Sequence, residues 1–321
     1  MPLSWDEPIS NELKMVDDMI RHEVQSQEDL LTEISLHIIG SGGKRIRPGV
    51  ALLAYHSVGG DDPERIIGIS AAFEIIHSAT LIHDDINDGG DTRRGVVAAY
   101  RKFGVQQALI AGDFLFVRGF RLGGFLGQDL VDIIADACTS MAESEILQGR
   151  YENDPSTPVD VYLEIIKGKT AMPIEAGART GATLGGGSPE QVSALGEYAL
   201  NLGMAFQIID DVLDITGNED TLGKPRGMDF IEGKPTLPLI LALNHGGNGT
   251  RLRKLFTKDE KTEEDVDEAV EYLLQTDILE RSKEKAREFS KRAVDALDPI
   301  SESEYKQGLT LLAEKVVDRE F

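Results

Sequence analysis

Apolar residues recur at helical spacing along nearly the whole chain, and nothing in it alternates with the two-residue period of a half-buried strand. Leu13, Val16, Ile20 and Val24 open the pattern, and Leu30, Leu31, Ile34, Ile38 and Ile39 extend it. The segments 62–88, 97–120, 128–151, 159–180, 189–216, 235–245, 263–294 and 301–319 repeat it. Short breaks fall at Gly40–Gly43, Gly59–Pro63, Gly89–Gly90, Asn153–Pro158, Gly185–Pro189 and Gly246–Gly249, as expected between packed helices. The stretch 217–235 is longer and carries three basic side chains, which suits a functional lid. No linker or repeat divides the chain. Residues 1–321 therefore read as one all-α domain of roughly ten or more helices.

Charge excludes several functions. The chain has 33 Lys and Arg against 56 Asp and Glu, a net charge of −23. Such a surface repels phosphate backbones and anionic headgroups, so neither nucleic acid nor a polybasic membrane contact is expected. Cys138 is the one cysteine, so neither an intramolecular disulfide nor a cysteine zinc site can form, and it reads as a small core residue. The opening MPLSWDEP resembles no secretory leader, and the uncharged stretches 48–60 and 236–250 are too short and polar to span a bilayer. A cytoplasmic protein without a transmembrane segment is the expectation.

Two D-D-x-x-D segments end apolar helical runs: Asp84, Asp85 and Asp88, then Asp210, Asp211 and Asp214. On a helix the first and fifth residues share a face and the second lies beside them, so each segment gathers three carboxylates. Clustered like charges need a cation, and Mg²⁺ commonly takes one or two carboxylates together with substrate phosphates. In so acidic a chain a solvated acidic face is the plain alternative. The apolar runs before each motif, 75–82 and 202–209, favour a cavity instead.

Basic clusters are the anomaly here. Lys44, Arg45 and Arg47 follow a glycine pair at a helix start, where free N–H groups favour anions. Arg93 and Arg94 follow the first Asp motif closely. Surface ion pairing would explain either cluster alone; beside metal-binding carboxylates, two diphosphate pockets explain them better. His77 lies two turns before Asp84 on the same face, as a core histidine or a phosphate contact, whereas His83 points elsewhere. Gln207 shares the face of the second motif. Pro173 removes the helical donor for the Lys169 carbonyl, and that carbonyl beside the Thr170 hydroxyl could steady a carbocation; a mere kink is the alternative.

Taken together, these residues resemble the trans-polyprenyl diphosphate synthase family. The likeness runs through GGKRIRP (42–48), FEIIHSATLIHDDINDGGDTRRG (73–95), AGDFL (111–115), GKT (168–170), FQIIDDVLD (206–214), GKPRGMDFIEGKPTLP (223–238) and LLAEKVVDR (311–319). It implies the isoprenoid synthase fold, helices around a deep central cavity, usually as a homodimer, using Mg²⁺ at about two or three ions per site. By motif position, Asp84, Asp85, Asp88, Asp210, Asp211 and Asp214 would hold Mg²⁺ against an allylic diphosphate (dimethylallyl, geranyl or farnesyl) from opposite walls. Arg93, Lys169, Lys224 and Lys234 would contact that diphosphate, with Thr170 and Gln207 beside the reacting carbon. Lys44, Arg47, His77 and Arg94 would hold the diphosphate of isopentenyl diphosphate. Asn87 departs from an often apolar slot, but it is a spacer.

The same likeness bears on product length. Thr80, Ile76 and Phe73 lie near Asp84's direction on the helix, so a growing chain slides past them, Phe73 about 16 Å down at 1.5 Å per residue. A large aromatic four or five residues before the first Asp stops the family's products early; here Thr80 and Ala79 are small. Geranylgeranyl diphosphate or a longer product is the expectation. Rival readings are a terpene cyclase, which needs no second diphosphate pocket, a non-catalytic partner subunit, and a phosphate-binding regulator.

Overall fold

The computed structural model describes residues 4–124, 127–217, 225–245, 249–258 and 260–318. After a 3₁₀ turn at Glu7–Ile9 come α1 (Ser10–Glu23), α2 (Asp29–Gly40), α3 (Ile46–Ser57) and α4 (Glu64–Asp88). Then follow α5 (Ala99–Phe103), α6 (Val105–Gly123), α7 (Gln128–Arg150), α8 (Val159–Ile166), α9 (Met172–Leu184) and α10 (Pro189–Thr216). The last helices are α11 (Met228–Ile231), α12 (Leu237–Leu243), α13 (Gly249–Phe256), α14 (Glu263–Leu274), α15 (Ile278–Ala296) and α16 (Glu304–Val317). The all-α expectation holds.

Several details depart from the periodic reading. The segment 97–120 is two helices, because Gly104 at φ +94° takes a conformation that a helix cannot continue through. The segment 263–294 breaks after Leu274, and a short helix, α11, lies inside 217–235. A hairpin is present: β1 (Thr92–Arg93) pairs antiparallel with β2 (Val96–Val97), with Thr92 opposite Val97 and Arg93 opposite Val96. Its two turn residues, Arg94 and Gly95, have φ of +51° and +78°, as a tight primed turn demands. Strands of two residues are too short to show any period.

Packing divides the described chain into two compact units. The first comprises Met1–Asp136, Pro173–Glu197 and Ala296–Leu312; the second comprises Ala137–Met172, Tyr198–Asp295 and Ala313–Phe321. The first is built on α4. Among the described residues this is the one helix long and apolar enough to cross a membrane, but 72% of its most apolar window is buried, as in a core helix. Helix α6 lies close against it: a Cβ on Gly119 would sit 2.6 Å from Ile76 Cγ1 and 3.1 Å from the Ala72 carbonyl. The core of the second unit gathers Val212, Ile215, Phe230, Leu239, Phe256, Val270, Leu273 and Ile278, with the Phe230 and Phe256 rings 5.8 Å apart. Cys138 is half-buried, and burial pushes its thiol up to about 11.

Candidate functional site

In the first unit, α4 delivers Asp84, Asp85 and Asp88 at its C-terminal end. Asp85 is buried, Asp84 is half-buried and Asp88 is exposed. The hairpin returns Arg93 to this end, where its Nε donates to Asp85 Oδ1 at 2.7 Å and its Nη2 donates to the same oxygen. Asp85 Oδ2 is buried without a hydrogen-bond donor. Burial raises the Asp85 carboxyl above its usual range against the pull of Arg93, and Asp88 adds to the rise. A buried carboxylate oxygen lacking a donor is costly, and a bound cation relieves that cost.

One turn of hairpin places Arg94 beside the glycine pair: its guanidinium donates to the Gly42 carbonyl and lies where a Cβ on Gly43 would be. Arg47, Arg94, Arg93 and Arg45 all act on His77. Burial first, then those cations, hold its imidazole well below its usual range, so it stands neutral and can give one N–H to an anion. Of the expected set Lys44, Arg47, His77 and Arg94, the two arginines lie within electrostatic reach of His77 in this unit, as do Arg93 and Arg45. Lys44 is exposed at the mouth of the loop.

Arg45, which the run of cations does not distinguish from its neighbours, is set apart by its backbone. At φ +50° it caps α3 from the left-handed region, and its side chain turns to Asp17 at 2.9 Å and buried Glu74 at 2.5 Å. Glu74 is one turn before His77 on α4, so the anion loop is tied to the helix that carries the histidine.

The wall residues of α4 separate. Phe73 is buried near Ala51 and Gly177, where a Cβ on that glycine would touch its ring at 3.7 Å. Ile76 turns to α6 and Gly119, and Ala79 has no exposed surface. Thr80 is half-buried and donates back to the His77 carbonyl at 2.8 Å. His83 lies 3.6 Å from Asp113 on α6, away from the motif's partners, as expected.

In the second unit, the chain between α8 and α9 forms a π turn, Lys167–Ala171, directly before Pro173. Glycine makes its packing possible: a Cβ on Gly168 would collide with Ser144 Oγ and lie 2.9 Å from the Ser140 carbonyl of α7. Across from it, a Cβ on Gly203 would lie 2.5 Å from Ala171 Cα, so α10 also approaches closely. These contacts bring Gln207 to Thr170, whose hydroxyl donates to Gln207 Oε1 at 2.7 Å. Gln207 Nε2 then donates to Asp211 Oδ1 at 2.9 Å, and the Tyr162 hydroxyl donates to Asp211 Oδ2 at 2.6 Å.

Asp211 and Asp214 are buried and Asp210 is half-buried. Burial pushes the Asp211 carboxyl up to about 7 against the hydrogen bonds from Tyr162 and Gln207, and Asp210 and Asp214 add to the rise. Asp214 accepts from the Asp229 backbone N–H at 3.1 Å, tying α10 to α11. Lys169 pairs with Glu145, and Lys234 pairs with Glu232 at 2.7 Å. A cavity of about 110 Å³ is lined by Lys169, Thr170, Gln207, Asp211, Lys234 and Asp229, together with Tyr162, Gln148, Ile165, Ile166, Pro235 and Thr236. Lys224 lies outside the described residues, as does much of the 217–235 stretch. Sequence reasoning passed over Tyr162, Asp229 and Glu145; only Asp229 falls inside a quoted motif.

The donor set fits a hard divalent cation, all carboxylate oxygens with one buried oxygen of Asp85 lacking a donor. Among the described residues no three His, Cys, Asp or Glu side chains already converge to chelate an ion.

Comparison with known proteins agrees with this chemistry. The family model described as polyprenyl synthetase matches residues 28–273. Octaprenyl diphosphate synthase of Haemophilus influenzae is 37% identical over 313 residues, covering 97% of this chain and 94% of that protein. The short chain isoprenyl diphosphate synthase of Methanothermobacter thermautotrophicus is 36% identical, covering 96% of each. Among solved structures, polyprenyl synthase from Caulobacter crescentus CB15, complexed with calcium and isoprenyl diphosphate, superposes with a TM-score of 0.95 at 36% identity, covering 99% of this chain and 97% of that one.

Proposed function

Because the chain belongs to the polyprenyl synthetase family of trans-prenyl diphosphate synthases, and is thus a prenyltransferase, we propose that it condenses isopentenyl diphosphate head-to-tail with an allylic diphosphate in a Mg²⁺-dependent reaction, releasing pyrophosphate. The observation that carries this reading is the hairpin that sets Arg94 on the Gly42–Gly43 loop, with Arg47 and Arg94 both acting on His77, in a chain of net charge −23. A cyclase, which handles one diphosphate, has no use for it.

Asp84, Asp85, Asp88, Asp210, Asp211 and Asp214 are the residues that would hold Mg²⁺. When bound, Mg²⁺ supplies Lewis-acid neutralisation of charge on the departing diphosphate. Lys169 and Lys234, already lining one cavity, would bind the allylic diphosphate with Arg93 and Lys224, while Lys44, Arg47, His77 and Arg94 hold isopentenyl diphosphate. As the allylic C–O bond ionises, oxygens of Thr170 and Gln207 steady the cation. The isopentenyl double bond attacks it, and the proton lost in forming the new double bond passes to released pyrophosphate.

The product we propose is geranylgeranyl diphosphate or longer, since small Ala79 and Thr80 precede the first motif. The two relatives above, an octaprenyl and a short chain synthase at 37% and 36% identity, do not separate these lengths. The test is incubation with isopentenyl diphosphate, each allylic starter and Mg²⁺, followed by chain-length analysis. Asp84→Asn with Asp85→Asn should lose about a hundredfold or more in turnover. Asp91→Asn, which removes only an exposed pair with Arg101, should not. A cyclised product, or none from the unaltered chain, would overturn the reading.

A further inference from the structure

Tyr162 belongs to no motif, yet its ring is buried to 2% exposure and its hydroxyl reaches the middle of the second Asp segment. A purely apolar core position would be served as well by phenylalanine, so the buried hydroxyl calls for an account.

Hydrogen-bond directions supply one. Both the Tyr162 hydroxyl, at 2.6 Å, and the Gln207 amide nitrogen, at 2.9 Å, donate to Asp211, one to each carboxylate oxygen. With its nitrogen committed there, Gln207 presents its carbonyl to Thr170, whose hydroxyl donates to it at 2.7 Å. The Thr170 proton is thereby spent inside the protein. Its oxygen has only lone pairs left to offer the cavity it lines.

We propose that Tyr162 is a positioning residue: through Asp211 and Gln207 it fixes the Thr170 hydroxyl as an acceptor towards the allylic cation. The inference rests on the function proposed above. Without the phenol hydroxyl, Asp211 loses a donor and can rotate, the Gln207 amide can flip, and a flipped amide would offer N–H where Thr170 needs a carbonyl. The Thr170 proton would then face a developing positive charge and oppose ionisation. At saturating Mg²⁺ the cation sites stay filled and Lys169 and Lys234 still face the same cavity, so the loss belongs in kcat far more than in KM.

The experiment is a double-mutant cycle in the full chain, with Tyr162→Phe, Thr170→Val and the pair, measured at saturating Mg²⁺ with both substrates varied. Tyr162→Phe should lower kcat about tenfold while each KM stays within about twofold. The pair should be no slower than Thr170→Val alone, because both changes cut one chain. Losses that multiply, or unchanged kcat in Tyr162→Phe, would overturn the proposal while leaving the enzyme's function intact. An unaltered chain that forms no prenyl product overturns both. If circular dichroism shows Tyr162→Phe unfolded, Gln207→Met replaces it in the cycle, and multiplying losses there are equally fatal.

Discussion

Arg45 sits between Lys44 and Arg47, but a left-handed backbone turns it inward to Asp17 and Glu74. It neutralises a carboxylate that is only 4% exposed, so its loss strands a buried charge, which costs about 3 kcal/mol. Arg45→Leu should therefore lower the melting temperature and raise the KM for isopentenyl diphosphate together. Arg47→Ala should raise that KM with the melting temperature kept. If Arg45→Leu melted like the unaltered chain, direct anion binding by Arg45 would be the better account. At this scale the sequence shows which residues carry charge but not where each points. Three cations in a row look alike until φ at one of them is known, and Tyr162 looks like any core aromatic until its hydroxyl is traced to Asp211.

Among the elements, the long helices were legible because apolar residues recur at helical spacing over many turns; α4 and α10 each run apolar up to an Asp motif. The pieces that aim side chains were not. The hairpin that delivers Arg93 and Arg94 has strands of two residues, and the π turn that presents Lys169 and Thr170 looks helical in sequence. Pro173 gave a hint of the second, through the donor it lacks. The wall of α4 also needed the structure to divide it. Thr80 is half-buried, whereas Ala79 is fully enclosed and Ile76 is spent on α6. Thr80→Phe should accordingly shorten the product while the fold stays intact. An aromatic at Ala79 must displace its neighbours and should cost about 1–3 kcal/mol in stability besides. Phe73→Ala should leave the product unchanged or lengthen it. Thin-layer or mass analysis of the prenyl chains decides, and an unaltered product from Thr80→Phe would remove α4 from the wall.

At the scale of the molecule, α6 exposes four apolar side chains around Gln106 and Asp113: Val105 is 53% exposed, Leu109 47%, Ile110 48% and Val117 68%. Such side chains grouped on one helix are a poor solvent face, and a second copy of the chain is the partner we propose for them. Leu109→Asp with Val117→Asp should then halve the mass seen by light scattering. The net charge of −23 sets two copies against each other, so the dimer should tighten as salt rises from low ionic strength. An unaltered chain with the mass of one copy under all conditions would refute this. The π turn has its own consequence at this scale. It is a helical turn holding one surplus residue, which is absorbed locally as a bulge. That surplus falls just where the chain leaves the second unit at Met172 and enters the first at Pro173. A sequence one residue shorter here would close the turn as ordinary α-helix, and Lys169 and Thr170 would no longer be presented to the cavity from a bulge. Between Tyr162 and Pro173, then, chain length is itself part of the site: a deletion there changes which side chains meet the cavity.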